Sequence, residues 1–195
     1  MESITIDKAT KILYAKRVSL FSINDAKKVF NIEKDNTLYK LLQRLEKKDI
    51  IKRIENGKYL FSFIEVSDFE IANFLTSPSY ISLESALSFY GILSQFPYTI
   101  TSITSKKSKR VIYEDKEYEF NHIESKYLYG FFKKNNFLIA SPEKALIDEL
   151  YFIAKKLRII SLEELDLTNI NKKHLKSIVK KYDYIPLKRL VDNIC

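Results

Sequence analysis

The chain has 195 residues, 46% of them hydrophobic and 13% aromatic, enough for one large or two small packed domains and not the composition of a disordered protein. Its longest apolar runs, such as Phe137 to Ala140, fall far short of the ~18 to 20 residues that cross a bilayer, and no signal-peptide core opens the N-terminus, so neither a membrane partner nor export is expected. The sole cysteine is Cys195, which excludes an intramolecular disulfide or a cysteine zinc cluster and points to a reducing compartment, the cytoplasm. With three glycines and only His122 and His174, the chain has no Gly-rich phosphate loop and no paired-histidine zinc motif; no cofactor or metal is expected, and the chain does not read as an enzyme.

The net charge of +8 is unevenly spread: residues 1–62 carry +6, residues 63–105 carry −4 with no lysine or arginine, and residues 106–195 carry +6. A basic balance suits a polyanionic partner, the alternative being a merely solvated lysine-rich surface. The gap in basic residues marks a boundary near Phe63 to Asp68 and predicts two domains, 1–64 and 65–195.

The first helix covers Ile4 to Tyr14. Ser22 stands three residues before Asp25, a capping signature, and opens a short helix through Phe30 that Asn31 can end in the left-handed conformation. A polar turn follows, in which Asp35 or Asn36 caps the next helix. There Leu38, Leu41, Leu42 and Leu45 form one apolar stripe, which leaves Asn36, Thr37, Tyr39, Lys40, Gln43, Arg44 and Lys47 facing elsewhere. Ile50 to Ile54 and Lys58 to Phe61 read as strands joined at Asn56-Gly57. Helix, turn, helix, hairpin is the winged helix-turn-helix order. Gln43, Asn36 and Arg44 can pair with base edges in a major groove, Lys40 and Lys47 can hold phosphates, and Lys52, Arg53 and Lys58 place further cations on the wing. The competing reading is a winged helix used for protein contacts, against which the near-absence of acidic residues on that face, Glu46 apart, weighs.

In the second domain Ser67-Asp68 caps a helix through Leu75, Ser77-Pro78 breaks it, and Tyr80-Ile81 leads into a helix from Ser82 that stops at Gly91. Segments 98–103, 110–113, 118–123, 127–132 and 137–140 alternate like strands and predict an antiparallel meander. Ser141 and Pro142 open a helix to about Leu157, and Ser161-Leu-Glu-Glu164 reads as a capping box. Further short helices follow Asn171 and Pro186. The expected class is therefore α+β, a winged helix-turn-helix followed by helices packed on an antiparallel sheet.

Two clusters invite a chemical reading. Glu143, Lys144, Asp148 and Glu149 share one helix and could hold Mg²⁺ in a nuclease-like site, but helix-dipole stabilisation of Glu143 and an ordinary Lys144–Asp148 ion pair explain them as well. His122 has no identifiable nucleophile beside it. Lys106, Lys107, Lys109 and Arg110 form a second basic patch, suited to a phosphate backbone or an acidic partner, or else a solvated hairpin tip.

Two blocks carry a resemblance: residues 75–91, Leu-Thr-Ser-Pro-Ser-Tyr-Ile-Ser-Leu-Glu-Ser-Ala-Leu-Ser-Phe-Tyr-Gly, and residues 139–151, Ile-Ala-Ser-Pro-Glu-Lys-Ala-Leu-Ile-Asp-Glu-Leu-Tyr. With the N-terminal winged helix they resemble the AbiEi antitoxin family, over about residues 5 to 160 and in the same order. The resemblance implies a bacterial repressor of its own promoter, acting on double-stranded DNA with inverted repeats. It also implies an antitoxin against a co-encoded nucleotidyltransferase toxin, without a stable complex between them. It would assign the antitoxin role to Ser79, Tyr80, Ser82, Glu84, Ser141, Pro142, Glu143 and Lys144. Family relatives often have longer C-terminal domains, which leaves a stand-alone repressor or a protein-interaction module as the alternative.

Overall fold

The computed structural model describes residues 4–194; Cys195 lies outside them. The chain divides into two compact units, residues 1–67 and 68–195.

The first unit contains α1 (Ile6–Ala15), β1 (Leu20–Ser22), α2 (Ile23–Phe30), α3 (Asp35–Glu46), β2 (Ile51–Glu55) and β3 (Lys58–Phe61). Its three strands form an antiparallel sheet in the order β1-β3-β2. The short β1 pairs Phe21 with Tyr59 and adds a strand to the expected hairpin. Local chemistry fixes the boundaries. Ser22 and Asp25 complete a capping box, with the Ser22 amide donating to Asp25 Oδ2 at 2.9 Å, and Asn31 adopts φ 54°, ψ 47° at the end of α2. Helix α3 departs from the expected cap: Lys34 holds the N-cap position without a side-chain bond, while Asp35 enters the first turn and pairs with Lys27 at 2.5 Å. A carboxylate engaged by an ammonium across the turn is diverted from the cap. Leu38, Leu41, Leu42 and Leu45 meet Ala9, Leu13, Phe21, Ala26 and Phe61 in one apolar core.

The second unit contains α4 (Asp68–Leu75), β4 (Ser79–Ile81), α5 (Leu83–Phe89), β5 (Ile100–Thr104), β6 (Lys109–Tyr113), β7 (Lys116–His122), β8 (Phe131–Lys134), β9 (Phe137–Ala140), α6 (Pro142–Ala154), α7 (Lys172–Val179) and α8 (Ile185–Ile194). Its sheet runs β6-β7-β5-β4-β9-β8 and is mixed. The antiparallel meander is thus corrected: β5 pairs with β7, and β4 with β9, in parallel. Parallel neighbours need a crossover, supplied for β5 and β7 by the β6 strand and for β4 and β9 by everything between them. The residues of β4 are all buried, so this central strand lacks the polar–apolar alternation that would announce it.

Segment 127–132 is a strand only from Phe131. Tyr127 sits in a 3-10 turn and stacks on Tyr182 with ring centroids 4.1 Å apart, so its spacing with Tyr129 and Phe131 imitates a strand without pairing as one. Leu162–Glu164 is a 3-10 turn with no side-chain cap bond, not a capping box. Helix α6 is capped by Ser141, begins at Pro142, and is buried on every side from Glu143 to Phe152. Among the described residues no helix is long and apolar enough to cross a membrane.

Candidate functional site

In the first unit, the 3.6-residue period of α3 sets a polar stripe opposite the four buried leucines. Asn36, Lys40, Gln43 and Lys47 form that stripe, flanked by Thr37, Arg44 and Tyr39, and all seven side chains are exposed. Arg44 is turned along the protein: its Nε donates to the Lys40 carbonyl and its Nη2 to the Ile4 carbonyl, each at 3.3 Å. On the β2–β3 hairpin Lys52 and Arg53 are exposed and Lys58 is half-buried. Arg53 donates to Glu46 Oε2 at 3.2 Å and lies over the Tyr59 ring, while Lys58 pairs with Glu55 at 2.8 Å. Glu46 was the one acidic residue evident on this face in the sequence; its pairing with Arg53, which ties the end of α3 to the hairpin, was not.

The second basic patch is less uniform than its sequence. Lys106 and Lys107 are exposed in the β5–β6 connection. Lys109 instead turns inward, donating to the Leu75 carbonyl at 3.2 Å and covering the Phe120 ring. Arg110 is spread between Glu117 at 3.4 Å and Glu119 at 3.6 Å. The exposed His122 donates through Nδ1 to the Lys106 carbonyl at 3.0 Å, against the same connection.

The residues of the two blocks fall mostly in the interior. Lys144 Nζ donates to the Tyr80 hydroxyl at 2.9 Å, to the Tyr182 hydroxyl at 3.1 Å and to Asp148 Oδ1. Asp148 Oδ2 in turn accepts from Tyr80 at 3.0 Å and from Ser82 at 2.8 Å. Lys144, Tyr80 and Asp148 close a ring of bonds to which Tyr182 and Ser82 are joined, linking β4, the start of α5, α6 and the approach to α8. Lys144, Asp148, Tyr80, Ser82 and Tyr182 are all 0% exposed, which decides that the ring meets no partner while the unit is folded. Burial lowers the Lys144 pKa against the pull of Asp148, and burial, reinforced by Asp148, raises those of Tyr80 and Tyr182. The i, i+4 pair seen in the sequence is real, but it is an internal pair and not a solvated one.

The other block residues also hold the unit together. Ser79 donates to the Thr76 carbonyl, and Ser141 caps α6 by accepting from the Lys144 amide. Pro142 fills the first helical position, where no amide is needed. Glu143 faces α7, accepting the Asn171 amide at 3.2 Å with His174 Nδ1 3.3 Å away. Glu84 pairs with Arg158, whose other arm donates to Glu119 at 2.9 Å. Glu143, Asp148 and Glu149 therefore point to three different surroundings, and among the described residues no three His, Cys, Asp or Glu side chains converge as a metal site requires. Tyr182 and Arg158 were not singled out from the sequence, because nothing local marks a tyrosine or arginine as the partner of a distant helix. No protein-family model and no curated protein matches the sequence of this chain.

Proposed function

We propose that the chain is a DNA-binding transcriptional repressor whose N-terminal unit works as a winged helix-turn-helix. The observation that carries this reading is the exposed stripe of Asn36, Lys40, Gln43 and Lys47 on α3, opposite a leucine core and followed by a hairpin bearing Lys52 and Arg53. A helix of this kind fits a major groove, where Gln43 and Asn36 present paired donor and acceptor groups and the lysines meet phosphates. Arg44 and Arg53 reach DNA only by exchanging the Ile4 carbonyl and Glu46 for it.

The resemblance to the AbiEi antitoxins extends the proposal: the chain represses its own promoter at inverted repeats and counteracts a nucleotidyltransferase toxin without a lasting complex. In that reading the interior block residues shape the second unit, and its outer surface carries the antitoxin function.

The test is fluorescence anisotropy of the full chain on its own upstream DNA and on a scrambled duplex at ~150 mM salt, where non-specific affinities are roughly 10⁻⁴ to 10⁻⁶ M. A preference of ~10³ or more for the upstream sequence is expected. Equal weak binding to both duplexes overturns the repressor reading. Gln43→Ala is expected to cost ~1 to 3 kcal/mol and to relax preference at one base position, whereas Lys47→Ala weakens all sequences alike and reduces the salt slope by about one.

A further inference from the structure

Glu149 lies on the flank of α6 away from the Lys144–Asp148 ring. It is 0% exposed, and among the described residues neither carboxylate oxygen has a hydrogen-bond partner. A buried carboxylate without donors is costly to ionise. The charged groups around it are Glu84 from α5, Glu119 from β7, Asp148 from its own helix, and Arg158 from the segment after α6. On the other faces of α6, His174 of α7 is directed to Glu143, and Tyr182 to Lys144 and Asp148.

The arithmetic of this cluster is unbalanced. The Arg158 guanidinium is already divided between Glu84 Oε1 and Glu119 Oε1, and Glu84 Oε2 is itself buried without a partner. Arg110 adds a second cation at Glu119, but its side chain is 68% exposed and it is shared with Glu117. Among the described residues, none of these cations donates a hydrogen bond to Glu149. Burial first, and the nearby Glu84 second, push the Glu149 pKa up to about 8, so the side chain is a neutral acid at pH 7.

We propose that Glu149 is a proton-operated latch on the segment following α6: protonated, it lets Arg158 clasp Glu84 and Glu119 beside it, and ionisation requires that this clasp open to admit water. The segment it governs includes Leu157, which is 65% exposed, and Ile159, which is 100% exposed, so the latch sets how firmly this apolar pair is held at the surface. The proposal is independent of DNA binding.

The linkage has a definite form. The closed segment binds a proton at Glu149 and the open segment does not, so opening becomes about tenfold more favourable per pH unit between the ordinary glutamate value and about 8, then levels off. Hydrogen exchange of the full chain, expressed as protection factors so that the intrinsic pH dependence of exchange cancels, reads this directly. Protection of amides 155–157, which donate to the carbonyls of Tyr151, Ile153 and Phe152, is expected to fall about 50-fold between pH ~6 and ~8 in the wild type. It should stay flat in Glu149→Gln, and also in Glu149→Met, which keeps the side chain's volume without a titrating group. A wild-type profile as flat as the variants', or variants that retain the wild-type slope, overturns the latch. So does a slope shared equally by every amide of the second unit, because Glu149 would then meet water only on global unfolding.

Discussion

Replacing Asp148 by Asn tests the ring around Lys144. The isosteric amide keeps one acceptor oxygen for Ser82 or Tyr80 but leaves the Lys144 ammonium, 0% exposed, without its counter-charge. Breaking a buried pair by removing one partner costs about 3–5 kcal/mol. An independent ceiling comes from proton release: a lysine can fold neutral at a cost of roughly 1.36 kcal/mol for each pH unit below its unfolded value near 10.4. That ceiling is ~4.6 kcal/mol at pH 7 and ~2 kcal/mol at pH 9. The sign follows because the unfolded variant holds a proton at Lys144 that the folded variant has lost, so its stability rises with pH. Burial already lowers the Lys144 pKa in the wild type, so the same trend exists there in weaker form.

The assay is urea unfolding at pH ~7 and ~9 of Asp148→Asn and its parent, both carrying Glu149→Gln so that titration of Glu149, which the Asp148 charge also shifts, does not enter the comparison. The deficit of Asp148→Asn should fall to ~2 kcal/mol or less at the higher pH. Adding Lys144→Met should recover more than half of it at pH 7 and abolish its pH dependence. A deficit that is the same at both pH values, or that stays below ~1 kcal/mol throughout, refutes the reasoning that Lys144 is a charged group dependent on Asp148.

Three further substitutions probe other parts of the fold. Gly130 holds φ +76°, and an added Cβ would lie 3.0 Å from Lys144 Cγ; Gly130→Ala should therefore destabilise by more than the ~1–2 kcal/mol of the backbone alone, measured by urea unfolding. Leu42→Ala empties a site that is 1% exposed beneath the α3 stripe and should cost ~2–5 kcal/mol, seen as lost amide protection across residues 4–67. Ser22→Ala removes one half of the α2 capping box and should cost ~1 kcal/mol in the same exchange experiment, with the largest change at the Asp25 amide.

Signals carried by neighbouring residues were legible in the sequence. Ser22 with Asp25, the left-handed Asn31, Ser141 with Pro142, and the leucine stripe of α3 each act within one or two helical turns, and the structure realises all of them. The exposed set on α3 follows from that stripe alone. What stayed hidden depends on residues far apart in the chain. The parallel pairing of Ile81 with Ile139 leaves no mark on the periodicity of either strand. Helix α6 misleads for the same reason: Glu143, Lys144, Asp148 and Glu149 read as a candidate Mg²⁺ site or as helix-dipole and i, i+4 pairing, but Asn171 and Tyr182 arrive from later segments to engage Glu143, Lys144 and Asp148 in the interior. One clue was present, since these four residues spread around the helix and do not share a single arc.

The position of β4 has a consequence for how the second unit comes into being. Ser79–Ile81 is made early in the unit, yet its two flanking partners are β5 and β9, and the latter ends at Ala140. During synthesis one rim of this all-buried strand waits, unpaired, until the ribosome has delivered nearly sixty further residues, an order-of-magnitude figure typical of the long-range pairings that slow folding. Pairing at that rim is then sealed by Lys144 and Asp148, which belong to the helix emerging directly after β9 and close on Tyr80 from β4 itself. The strand that finishes the sheet and the residues that lock it are thus delivered together.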